Sequence, residues 1–313
     1  MSLKVKNLSK KYGENTVVDN LSFEINEPGV YALLGTNGAG KTTSIRMILG
    51  MLAHESGEIL WKDKPLDAVK CNVGYLAEER GLYPKYSLMD QLVYFAKLRH
   101  VSKSDALDRI KYWSDRFEVN EYIYPGKTSK GKKQPPKKAD QLSKGNQQKI
   151  QLISTLISDP ELLILDEPLS GLDPVNTDLF KSVIYEQIKK NKYLIMSSHQ
   201  MPTIEEFCTD ITILDKSKTV LQGNLNAIKK SYGRVNLFVK CEADITNLIE
   251  ESGIKLVNCK ENEYILKVTS EEQANLLLNK IIENKILLIK FELREPSLHE
   301  IFVEKVGGEN EEK

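Results

Sequence analysis

Gly35-Thr36-Asn37-Gly38-Ala39-Gly40-Lys41-Thr42-Thr43 carries three glycines and a lysine within nine residues. Gly35 and Gly40 flank four residues, and Lys41-Thr42 completes the pattern of a phosphate-binding loop. Upstream, Val30-Tyr31-Ala32-Leu33-Leu34 reads as a buried strand. Downstream, Ile45, Ile48, Leu49 and Leu52 recur at helical spacing. Glycines let backbone N–H groups curl around a phosphate without Cβ clashes, and the helix N-terminus adds the positive end of its dipole. Lys41 has the length to reach outer phosphates, and Thr42 offers a hydroxyl to Mg²⁺.

The 313 residues allow about two domains. Charged residues make up 28% and hydrophobic ones 41%, an ordinary globular composition. The 44 Lys and Arg balance the 44 Asp and Glu, so global charge gives no case for nucleic acid. Cys71, Cys208, Cys241 and Cys259 form no C-x-x-C pair and read as free thiols in a reducing cytosol. The N-terminus lacks a charged-then-apolar signal pattern, and no apolar run is long enough to span a bilayer. Any membrane role therefore comes through a partner.

Taken in order, residues 3–11 and 16–25 read as strands joined at Tyr12-Gly13-Glu14-Asn15, with Tyr12 a ring on which a base could stack. A strand Val73–Leu76 ends in an acidic turn that includes Glu78. Helical stripes follow at Leu88, Leu92, Phe95, Leu98 and at Leu107, Ile110, Trp113, Phe117, and both read as core. Residues 124–138 carry three prolines, two glycines and six lysines, which read as a solvated loop or a contact with anionic lipid. Leu142-Ser143-Lys144-Gly145-Asn146-Gln147-Gln148 opens a helix running to about Ile157. Leu162-Leu163-Ile164-Leu165-Asp166-Glu167 is an apolar strand ending in two acids. Adjacent acids at such an end are costly to bury unless a metal or a reaction uses them. A helix over about 175–190, a strand from Tyr193 to Ser197 ending at Ser198-His199, and a hairpin of 211–215 with 219–223 complete this part. From about Val235 the order becomes βαββαβ, the ferredoxin-like order. Ser270 with Gln273 and Ser297 with Glu300 read as capping boxes, and 307–313 as a frayed tail.

These motifs, in this order, resemble an ABC transporter ATP-binding subunit over roughly residues 2–225. Tyr12 matches the adenine-stacking position and Gly35–Thr43 Walker A. Leu142–Gln148 matches the signature, here LSKGN where LSGGQ is usual. Leu162–Asp166 matches Walker B, Glu167 the catalytic glutamate, Ser170–Asp173 the D-loop and His199 the switch histidine. Glu78 stands where the family usually has its Q-loop glutamine. The wording YLAEERGLYP, LSKGNQQK and PSLHEIFVEKVG resembles the bacterial type-2 exporter branch, which includes sodium-extrusion and drug-export systems, and its C-terminal accessory domain.

The resemblance implies an α/β fold: a P-loop ATPase of ABC type with an N-terminal antiparallel β subdomain and an inserted helical subdomain, followed by a ferredoxin-like α+β domain. The expected bounds are 1–225 for the ATP-binding domain, with the helical subdomain at about 84–158, and 235–306 for the accessory domain. ATP and Mg²⁺ are the implied cofactors, with Thr42, Asp166 and Glu78 toward the metal, and Glu167, His199 and Glu78 catalytic. Tyr12, residues 35–43 (Gly35, Thr36, Asn37, Gly38, Ala39, Gly40, Lys41, Thr42, Thr43) and the Ser143 and Gly145 of an opposing chain would surround ATP. The implied partners are a second ATP-binding domain, identical or a close paralogue, and a membrane permease docking near the Glu78 loop and the 88–99 helix. No nucleic acid is expected. The protein would then lie on the cytoplasmic face of the membrane. The rival classes fit less well. A translation-type relative would carry two such domains, a chromosome-maintenance ATPase a long coiled coil, and a small-molecule kinase no signature. A membrane-linked regulatory ATPase of ABC type is the alternative reading.

Overall fold

The computed structural model describes residues 3–79, 81–124, 126 and 134–307. Much of the basic insert, and the tail beyond Gly307, lie outside the described residues. The chain divides into two compact units, Met1–Gln200 with Glu206–Gln222, and Met201–Glu205 with Gly223–Lys313.

Two sheets build the first unit. The strands Leu3–Tyr12, Asn15–Ile25, Ser56–Trp61 and Lys64–Pro65 form a four-stranded antiparallel sheet. Leu3, Val5 and Leu8 are buried, and a register shift between Val5 and Leu8 absorbs the extra polar residue; Asn7 there has φ 49°. The second sheet has six strands in the order Lys218–Asn224, Asp210–Asp215, Gly29–Gly35, Tyr193–Ser198, Leu162–Asp166, Val73–Leu76. Its inner strands pair in parallel, and Gly29–Gly35, Leu162–Asp166 and Tyr193–Ser198 are buried along their whole length. Their continuous apolar runs have that cause: a parallel strand covered on both faces has no polar side. The expected hairpin forms through Lys216 and Ser217, both at positive φ.

The core lies between the sheets and encloses the helix Lys41–Ile48. Leu3, Val5, Leu21 and Phe23 meet Leu33, Ile45, Ile48, Leu162, Ile164 and Ile195, and Phe23 stacks on Tyr31 with centroids 4.6 Å apart. Each fully buried Leu or Ile in such a core is worth roughly 2–5 kcal/mol against alanine.

The helices Leu88–Leu98, Lys103–Arg116 and Lys144–Leu156 begin alike. Ser87, Ser102 and Ser143 each accept the N–H three residues on, from Asp90, Asp105 and Asn146. The two apolar stripes are core only in part. Leu88, Leu92, Ile110, Trp113 and Phe117 are buried, while Leu98 is 52% and Leu107 38% exposed.

In the second unit the strands Asn236–Cys241, Lys255–Lys260, Glu263–Lys267 and Leu288–Arg294 pair antiparallel, with Asn236–Cys241 and Glu263–Lys267 at the centre. The helices Thr246–Glu251 and Glu271–Glu283 complete βαββαβ, packing Ile249, Leu277 and Ile281 with Leu237, Val239, Tyr264 and Leu266. The first helix starts at Thr246, because Asp244 Oδ1 takes the N–H and hydroxyl of that residue and holds the chain before it out of the helix. Ser297 and Glu300 form the full reciprocal box. At Ser270 the reciprocal half is missing, since Gln273 Oε1 accepts from Thr269 instead. Short helices at Met201–Glu205 and Leu225–Tyr232, too short for a periodic signal, belong to the same unit; Glu205 pairs with Lys229 and accepts the Leu298 N–H.

Candidate functional site

Four parallel strands end at one edge of the central sheet, and each delivers a segment of the site. Gly29–Gly35 leads into the glycine loop, Leu162–Asp166 into Glu167, Tyr193–Ser198 into His199, and Val73–Leu76 into the turn with Glu78. This is where open α/β sheets place ligands. A cavity of about 330 Å³ lies there, lined by Val17, Asn37, Gly38, Gly40, Lys41, Thr42 and Thr43, with Glu78 and Glu167.

The loop needs its glycines. A Cβ on Gly35 would lie 2.3 Å from the Leu214 carbonyl oxygen, and one on Gly40 2.5 Å from that of Val17. Both have positive φ, 150° and 106°. The Ala39 N–H donates to the Thr36 carbonyl, and Lys41 Nζ donates to the carbonyls of Gly35 at 2.9 Å and Thr36 at 3.2 Å. The lysine is therefore held back along its own loop, with Glu167 Oε1 3.5 Å away.

Glu167 is buried and sits at φ 47°, a conformation that side chains other than glycine rarely adopt. Its N–H donates to Ser197 Oγ at 2.9 Å, and the Ser197 hydroxyl donates to Asp166 Oδ1 at 2.5 Å. One serine thus orients both acids. His199 Nδ1 lies 2.9 Å from Glu167 Oε2, so the carboxylate bridges lysine and imidazole. Asp166 is 1% exposed, and among the described residues its Oδ2 has no hydrogen-bond partner. Burial raises its carboxyl above the usual carboxylate range, with the hydroxyls of Ser197 and Thr42 pulling the other way. A buried carboxylate oxygen left unpaired beside a threonine hydroxyl suits a hard cation that takes oxygen ligands. Burial, then the charge of Asp166, pushes the nearby Tyr75 phenol up to about 12.

Glu78 is exposed and borders the cavity; Gln151 Nε2 donates to the carbonyls of Ala77 and Glu79 and pins its turn. Tyr12 is 54% exposed, carries Lys10 Nζ 5.4 Å from its ring centroid, and does not line the cavity. Ser143 and Gly145 do not line it either. Ser143 is the exposed N-cap of its helix, and Gly145 lies against Asn176. Ser197, Val17 and Gln151 escape a reading of the sequence alone. A serine ending an apolar strand and a glutamine on a helix face of isoleucines were the available signals.

Two family models match the chain: the one described as ABC transporter over residues 18–170, and the ATP-binding protein DrrA1-3-like C-terminal domain over 223–306. The ABC transporter ATP-binding protein YhaQ of Bacillus subtilis is 41% identical, over 98% of this chain and 99% of its own. The chain belongs to the ATP-binding proteins of ABC transporters. ATP binding and hydrolysis come with that family. The bacitracin transport ATP-binding protein BcrA of Bacillus licheniformis is 29% identical over 98% of this chain and 97% of its own. A solved structure of an ATP-binding subunit of an ABC transporter superposes with a TM-score of 0.66 at 26% identity, covering 74% of this chain and 94% of that one. Among the described residues, no helix of this ABC protein is long and apolar enough to cross a membrane.

Proposed function

We propose that this chain is the ATP-hydrolysing subunit of an exporter, seated on the cytoplasmic face of a separate permease and working as a pair of ATP-binding domains. The observation that carries this reading is the convergence of Lys41, Thr42, Glu78 and Glu167 on one cavity, with Asp166 and His199 beside them and Ser143 elsewhere. In this reading residues 1–225 form the nucleotide-handling domain and 235–306 the accessory one. The loop N–H groups and Lys41 bind the phosphates, and Tyr12 flanks the adenine. Thr42, Asp166 and Glu78 would hold Mg²⁺, which neutralises charge on the phosphate oxygens. Glu167 accepts the proton of the attacking water, held by Ser197 at its backbone and by His199 at its Oε2. Ser143 and Gly145 of a second chain, at the N-terminus of their helix, meet the terminal phosphate. The bacitracin transport relative supports export as the work done.

Glu167→Gln tests the chemistry, because it removes the base and keeps the shape. ATP binding should persist while hydrolysis falls by about 10²–10⁴. Near-normal hydrolysis would move the base elsewhere. Purification from membranes together with one integral protein tests the permease; recovery without any would count against it.

A further inference from the structure

Beyond the nucleotide site, residues 83–86 and the helix Leu88–Leu98 border a cavity of about 470 Å³ walled by Tyr83, Tyr86, Tyr94, Asp90 and Gln91. We propose that this cavity takes an arginine side chain from a cytoplasmic segment of the permease, so that the contact is anchored by a cation. The inference rests on the permease reading and adds to it the chemistry of the partner.

Three observations carry it. The tyrosines are 46–64% exposed, yet they form an ordered box. Tyr86 and Tyr94 stand at 68° and 65° to Tyr83, with centroids 5.8 and 6.4 Å from its own, and Tyr83 stacks on Phe95 at 6.0 Å. The box is built rather than incidental. Gln91 is buried, its Oε1 accepts the Tyr83 N–H, and its Nε2 donates to the carbonyls of Tyr83 and Tyr86. With Gln91 satisfied in this way, Asp90 is the one charge among the described residues that line the cavity. Its Oδ2 accepts from the Ser87 hydroxyl, and the described residues offer Oδ1 no hydrogen bond.

Aromatic faces around a single carboxylate match a guanidinium, which is weakly hydrated, stacks on rings and donates to carboxylate oxygens. A neutral apolar anchor would cover Asp90 without pairing it, and an anionic one would meet like charge. Neither alternative uses both features of the box.

The test is a titration of the full chain, labelled with ¹³C at tyrosine rings, with N-acetyl-arginine amide and with its uncharged analogue N-acetyl-citrulline amide. The arginine probe should shift Tyr83, Tyr86 and Tyr94 and bind about tenfold more tightly than citrulline. Asp90→Asn, which keeps the Ser87 hydrogen bond, should abolish that preference, and Tyr86→Ala should weaken both probes. No shifts with either probe, equal affinities, or an unchanged preference in Asp90→Asn would overturn the proposal. On the chain assembled with its permease the arginine probe should no longer shift these rings. A full response there would overturn the permease as the source of the cation. Failure of the titration on the free chain leaves ATP-driven transport standing, because that reading rests on hydrolysis and co-purification.

Discussion

The edge of the central sheet and the βαββαβ sheet handle their polar groups in opposite ways. At the edge, Lys41 and Glu167 are buried charges, Glu167 holds an unfavourable φ, and Asp166 Oδ2 is orphaned. Between Asn236 and Arg294 the buried polar side chains are Asn236 and Ser252, and both are hydrogen-bonded, to Glu300 and to the Leu248 carbonyl. Positive φ there falls in turns such as Glu261-Asn262. Local rules are broken where chemistry is done and kept where the task is packing.

The largest expected contrast comes from matched glycine substitutions. Gly40→Ala drives a Cβ into the Val17 carbonyl at φ 106°, and should cost roughly 2–4 kcal/mol and abolish nucleotide binding. Gly253→Ala, at φ 64° with nothing closer than 3.8 Å, should cost only about 1–2 kcal/mol. Denaturant unfolding of both variants measures the gap. Equal costs would remove the contrast at the backbone level.

Replacing one buried polar group in each region sharpens the same point. Asp166→Asn relieves a buried, half-unpaired carboxylate, so stability without nucleotide should hold or rise. Mg²⁺-dependent hydrolysis should nevertheless fall at least about tenfold. Asn236→Ala should do the reverse, with about 1 kcal/mol of stability lost and ATPase activity kept. Thermal unfolding and ATPase assays on both variants decide it.

The smallest effect is expected from ending the chain at Gly233. ATP binding by the remaining chain should stay within about twofold of the full-length protein, since the described residues that line the nucleotide cavity all precede that point. Stability should drop, because Glu205 loses the Leu298 N–H. Isothermal titration with ATP checks this, and lost binding in a folded protein would contradict it.

Most of the fold was legible because its signals are local. Buried strands announce themselves as Val30–Leu34 or Leu162–Leu165, and a capping box as Ser297 with Glu300. The site was legible where a strand end and a motif coincide, as at Lys41, Asp166, Glu167 and His199. What stayed hidden depends on tertiary partners. Ser197 matters because parallel register sets it opposite Asp166. The tyrosine box depends on a buried glutamine eight residues after Tyr83. Leu98 looks like core in a stripe and is 52% exposed, because periodicity marks an apolar face but not what packs against each part of it.

In the proposed pairing, one chain's phosphate loop is completed by another chain's Ser143. Mixing Lys41→Ala chains with Ser143→Arg chains tests that pairing. Each variant alone should be inactive, because every paired site then carries a defect. Mixed dimers should regain hydrolysis, because one of their two sites joins an intact Lys41 to an intact Ser143. A mixture that stays inactive, or a Ser143→Arg chain that hydrolyses ATP at the full rate regardless of dilution, would rule out such a shared site.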